Sequence, residues 1–211
     1  DEPHTGDFPR LAEISAAFRR AAPGKEVYIN LFPDYADPGM LRATDYASYL
    51  RLFVETVKPD ILSYDYYTFL GRDRAASAEK LSLAETERER GIREAASRME
   101  DRTEFFRNLG AIREMGLTAG IPTMLIVLLT EHGYYRNPTR GELLWQVTHA
   151  LAYGVSRISY FTYWLPEPDG FWLWDNAMVE RDGTPAAHYY QVQDINRKLQ
   201  SWGKALEGRS R

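Results

Sequence analysis

Apolar positions run unbroken from Met124 to Leu129, with Pro122 just ahead and Thr130-Glu131-His132-Gly133 behind. A run with no polar alternation predicts a strand covered on both faces, as in a parallel sheet. Its abrupt end leaves a carboxylate just past the C-terminal end of a buried strand. Leu143, Leu144, Val147, Ala150 and Leu151 then recur at helical spacing, with Gly154 placed as a C-cap. Arg157 to Trp164 predicts a second strand, one that ends in aromatics.

The same two periods alternate through the rest of the chain. Pro9 opens a helix with Leu11, Ile14 and Phe18 on one face, stopped by Pro23-Gly24. Glu26 to Phe32 predicts a strand. Tyr46, Tyr49, Leu50, Phe53, Val54 and Val57 then follow the 3.6 period, with Thr44 or Asp45 as the cap. Ile61 to Tyr67 is the next strand. Phe105, Phe106, Leu109, Ile112 and Met115 mark the buried face of a helix starting at Thr103. A last helix, Pro185 to Leu206, is expected to bury Tyr189, Val192, Ile195 and Leu199.

One segment breaks the pattern. About half the residues from Arg72 to Arg102 are charged, with the signs balanced, among good helix formers. This predicts a solvated helical insertion, or a partly flexible one, at about 72–102. Strand starts fall near Glu26, Asp60, Pro122 and Ser156, a spacing of about 34 residues that doubles across the insertion and then returns. The repeat is a βα module. The expected fold class is α/β, a (β/α)₈ TIM barrel truncated to its C-terminal half, from the end of strand four through helix eight. Residues 1–211 would then form a single partial catalytic domain, since a whole barrel takes about 250 residues. The flanks of such a half barrel invite self-association through unpaired strand edges.

Composition narrows the function classes. A net charge of −4 and a pI of about 5.7 offer no electrostatic footprint for nucleic acid. Cys is absent, so thiol chemistry and a disulfide scaffold are excluded. No apolar run reaches the length of a membrane span. Four scattered His lack metal-ligand spacing, and no cofactor is expected. The aromatic share of 13%, with 14 Tyr and 5 Trp, suits flat hydroxylated ligands where those residues stand near loops.

Chemistry in such barrels gathers at the C-terminal strand ends, here Glu2, Asn30, Tyr64 to Tyr67, Glu131-His132 and Tyr163-Trp164. Two Glu three strands apart would face each other across the barrel mouth. Glycoside hydrolysis asks for such a pair, one carboxyl to protonate the leaving oxygen and one to attack the anomeric carbon or activate water. Tyr64 and Tyr66 alternate with Ser63 and Asp65, so one pair faces the barrel and the other the helices. Trp164 is placed as a sugar platform. Trp172 and Trp174 would line outer subsites or pin their loop. Glu142 also stands near Glu131, but Thr139-Arg-Gly-Glu142 reads as a capping box.

Asp-Glu-Pro at the end of strand four, Thr-Glu-His-Gly at strand seven and an aromatic strand eight resemble the retaining (β/α)₈ glycoside hydrolases. That superfamily includes the family 5 cellulase-type enzymes and the family 42 β-galactosidases. Gln146 and Ala150-Leu-Ala-Tyr-Gly154, leading into Ile158-Ser-Tyr-Phe161, are similar to the end of family 42 barrels. The resemblance implies Glu2 as acid/base and Glu131 as nucleophile, acting on β-linked oligo- or polysaccharide by double displacement. Asp1 stands where the superfamily usually has a sugar-binding Asn. Asp1, His4, Asn30, Tyr64, Tyr66, His132, Tyr163, Trp164 and Trp172 form the expected substrate-binding set. Family analogy points to a secreted or periplasmic protein. The rival readings are a carbohydrate-binding barrel with a degraded site, and a barrel lyase or isomerase. A retaining enzyme needs its carboxyls about 5–5.5 Å apart, whereas a binding protein does not.

Overall fold

Every residue of Ile61–Tyr66 is buried, although Ser63 and Asp65 interrupt its apolar pattern. A computed structural model describes residues 1–71, 86–96, 98–167 and 172–206. Much of the expected charged insertion (72–85 and 97) and part of the loop carrying Trp172 (168–171) lie outside the described residues. In chain order the first elements are α1 (Phe8–Ala21), β1 (Tyr28–Leu31), α2 (Pro38–Leu41), α3 (Tyr46–Val57), β2 (Ile61–Tyr66), α4 (Glu87–Ala96) and α5 (Phe105–Ala119). Then come β3 (Thr123–Leu128), β4 (Glu131–His132), α6 (Arg140–Ala152), β5 (Arg157–Phe161), β6 (Trp174–Asp175) and α7 (Ala187–Leu206). The chain divides into two compact units. One comprises Asp1–Tyr66, Glu104–Ile126 and His149–Ser159, and the other Tyr67–Thr103, Val127–Thr148 and Tyr160–Arg211.

The sheet has the order β1-β2-β3-β5, and the first unit holds β1, β2 and the opening residues of β3 and β5. β1 and β2 pair in parallel, with Asn30 opposite Ser63 and Leu31 opposite Tyr64. Leu62 N donates to Pro122 O at 2.9 Å and Ser156 N to Thr123 O at 3.2 Å, so neighbouring strands start level. Asp45 caps α3, accepting from Ser48 N at 2.7 Å. Tyr49, Leu50, Phe53 and Val57 face inward from that helix, and Phe8 of α1 meets Tyr49 and Phe53 with ring centroids 5.4 and 5.2 Å away. The inward face of α1 is therefore set by Phe8 and Ser15, while Ile14 and Phe18 are 50% and 45% exposed. A polar staple secures the loop after β1. Buried Asn108 accepts from Asp34 N through Oδ1 at 3.0 Å and donates from Nδ2 to Tyr46 Oη at 3.2 Å.

The second unit has its core in Tyr67, Phe69 and Leu128, with Tyr135, Trp145 and Phe161 against it. Gln146 of α6 is fully buried. Its side-chain amide bonds both the N–H (2.9 Å) and the C=O (3.0 Å) of Leu128, replacing ladder partners where the strand ends. Thr139 and Glu142 form the expected capping box: Thr139 N donates to Glu142 Oε2 at 2.7 Å, and Glu142 N to Thr139 Oγ1 at 3.3 Å. Arg136 binds Asp101, Glu142 and the carbonyl of Leu70, and lies over the Phe69 ring. Val192, Ile195 and His188 form the buried side of α7. No described helix is long and apolar enough to cross a membrane.

Candidate functional site

In the first unit the polar face of the sheet carries a carboxylate pair. Pleating puts Asn30, Ser63 and Asp65 on one face and Leu31, Leu62, Tyr64 and Tyr66 on the other. Asn30 donates from Nδ2 to Asp65 Oδ1 at 2.6 Å and accepts at Oδ1 from Ser63 Oγ at 3.3 Å. Glu2 is delivered beside them by its own backbone, its N–H bonded to Asn30 O at 2.9 Å. The next residue is anchored too, since buried Tyr49 donates its hydroxyl to Pro3 O at 2.7 Å. Glu2 holds a left-handed backbone, φ 46°, a conformation uncommon outside glycine.

Burial, and then the charge of Asp65, push the Glu2 carboxyl up from its ordinary 4.5 to about 7. The folded chain therefore binds a proton that the unfolded chain releases between pH 4.5 and 7. The stabilisation is complete below the unfolded value and lost as pH rises through the folded one. Replacing Glu2 by Gln should flatten this dependence, raising stability relative to wild type by about 2 kcal/mol between pH 5 and 8, a figure discounted for solvent screening. Denaturant unfolding across that range measures it. A ¹³C titration of the Glu2 carboxyl checks the cause, because Asp65→Asn should move the midpoint down toward the ordinary value.

The other residues expected in this half lie as follows. Tyr64 and Tyr66 are fully buried on the helix side, with Tyr66 edge-on to Phe105 of α5 (5.5 Å, 71°). Burial pushes the Tyr64 phenol well above its usual range, so that it stays neutral. His4 Nδ1 is 3.1 Å from Asp7 Oδ2, and Asp1 is exposed. Asp65 is the site residue that sequence pattern did not single out.

In the second unit Glu131 is buried at the start of β4, which pairs antiparallel with β6, Glu131 opposite Asp175 and His132 opposite Trp174. Asn176 follows β6 in a left-handed backbone, φ 55°, and donates from Nδ2 to Glu131 Oε2 at 2.7 Å. His132 Nδ1 lies 2.8 Å from the carbonyl of Thr130, an acceptor, so that nitrogen carries the proton. The His132 ring stacks on Trp174 (5.0 Å, 19°) and meets Tyr67 (5.6 Å, 89°) and Trp172 (6.1 Å, 73°) edge-on. Trp172 fits because residue 133 is glycine; a Cβ there would come within 2.3 Å of the indole. Tyr163 and Trp164 are 57% and 48% exposed beyond β5. The structure thus groups Glu131, His132, Trp172 and Trp174 in one unit, and Glu2, Asn30 and Asp65 in the other. Among the described residues, no group of three or more His, Cys, Asp or Glu is arranged for a metal ion.

This architecture is an α/β fold with a parallel sheet. Two solved structures share it: the β-galactosidase of the psychrophilic Marinomonas ef1 (TM-score 0.58, 12% identity, covering 94% of this chain and 27% of that one), and the β-galactosidase of the Antarctic haloarchaeon Halorubrum lacusprofundi (TM-score 0.58, 14% identity, covering 96% and 26%). The chain spans about a quarter of the length of those enzymes. Identity this low establishes the fold and nothing finer. No protein-family model and no curated protein matches the sequence.

Proposed function

We propose that this chain contributes four strands and the catalytic carboxyls of a (β/α)₈ glycoside hydrolase acting on β-linked sugars with retention. Glu131 is the nucleophile and Glu2 the acid/base. The observation that carries the reading is the Glu2–Asp65 pair: a partly buried carboxyl that keeps its proton close to neutrality is what protonation of a glycosidic oxygen requires. Glu131 supports it as a buried carboxyl just past β3, bonded by the Asn176 amide and followed by His132, whose ring stacks on Trp174. Exposed Tyr163 and Trp164 are suited to stacking against sugar faces. The solved β-galactosidases of like fold make a galactoside the first substrate to try.

The test is direct. A complete barrel that contains this chain is incubated with aryl β-D-galactoside, β-D-glucoside and β-D-xyloside, and the freshly released sugar is followed by ¹H NMR. The expected first product is the β-anomer. An α-anomer would place the protein among inverting enzymes, and no release from any β-glycoside would remove the hydrolase reading.

A further inference from the structure

We propose that Asn176 and His188 form a positioning pair that fixes the Glu131 carboxylate in one orientation. The inference rests on the reading of Glu131 as the nucleophile. A carboxylate that attacks carbon must present one oxygen in one direction, and its terminal torsion is soft. An amide N–H on Oε2, 2.7 Å away, removes that freedom.

Asn176 needs support of its own, because it stands after the two-residue strand β6 in a left-handed backbone. That support comes from the second residue of α7. His188 is buried, with Nδ1 2.8 Å from the carbonyl of Asn176 and Nε2 3.1 Å from the carbonyl of Pro138. Both partners can only accept. A neutral ring donates to one of them and a charged ring to both. One imidazole therefore ties the segment after β6 to the segment that enters α6, while Asn176 passes that constraint to Glu131. A His188 that served only helix entry would affect stability and leave the Asn176 side chain unmoved when it is replaced.

The experiment uses ¹⁵N-labelled protein, with the Asn176 side-chain amide resonance assigned by its disappearance in Asn176→Ala. Glu131→Gln is expected to move that resonance upfield, since a neutral acceptor replaces a charged one. His188→Leu is expected to move it as well. Should His188→Leu not fold, His188→Gln carries the comparison, with a smaller displacement because its amide keeps a donor. A resonance unmoved by Glu131→Gln, or by whichever His188 variant folds, overturns the proposal. A second readout is labelling by a 2-deoxy-2-fluoro-β-glycosyl fluoride, in which the Glu131 carboxylate displaces fluoride from C1 and stays esterified, seen as a mass gain. Asn176→Ala should slow labelling about ten- to a hundredfold, the equivalent of one hydrogen bond to a charged group. Labelling at the wild-type rate overturns the proposal. A wild-type protein that is never labelled, while its Asn176 resonance responds as expected, sinks the glycosidase reading and leaves the pair supported.

Discussion

On the proposed mechanism, Glu131→Gln in a complete barrel is expected to lower kcat/KM for every β-glycoside by on the order of 10⁴-fold or more. The substitution keeps the shape of the side chain, and its amide oxygen still accepts from Asn176 Nδ2. What disappears is the anion, and with it the covalent glycosyl intermediate. The loss should not depend on the leaving group, because no leaving group supplies a nucleophile. Glu142→Gln is the internal control. Its carboxylate closes the Thr139 capping box and pairs with Arg136, so the expected cost is about 1 kcal/mol of stability with turnover intact. Steady-state kinetics with a series of aryl glycosides, alongside denaturant unfolding, separates the two. A dead Glu142→Gln beside an active Glu131→Gln would reassign the nucleophile.

The second large effect is selective. Glu2→Ala removes the proton donor, which matters most when the departing oxygen is a poor leaving group. Hydrolysis of a disaccharide should fall by several orders of magnitude, on the scale of a lost general acid compounded over both steps. An activated aryl glycoside leaves unaided, so its first step should suffer far less. Deglycosylation then limits the rate, and azide is expected to accelerate it by standing in for the missing base and giving a β-glycosyl azide. Equal losses on both substrates, with no response to azide, would take the acid/base role away from Glu2.

Much of the scaffold could be read from periodicity. The uniform run at Met124–Leu129 and the helix at Tyr46–Val57 are long and unambiguous, and they form β3 and α3. Other features were hidden for identifiable physical reasons. Alternation within Ile61–Tyr66 tells that Ser63 and Asp65 share a face, but both faces of this strand are buried, so hydropathy cannot say which face turns to the helices. The packing of Tyr66 on Phe105 answers that. In α1 the burial falls on Phe8, one residue before the proline that signals the helix, and on Ser15, which no apolar pattern would pick. His188 sits four residues before Val192 and seven before Ile195, on their face of α7, yet a histidine adds nothing to a hydrophobic stripe. Asn176 is 45 residues from Glu131 in a loop without period, and only the fold brings them together.

Arg136 has a consequence for how this chain can change. Leu70 N donates to Asp101 Oδ1, Arg102 N donates to Thr68 O, and the guanidinium of Arg136 holds the carbonyl of Leu70 and the carboxylate of Asp101 together. The excursion between Leu70 and Asp101 thus leaves and returns through a closed stem. Closing a loop costs only about 0.6 kcal/mol more for each doubling of its length. A stem of this kind holds Leu70 and Asp101 together by bonds of their own, so a change of length between them is expected to leave the stem in place.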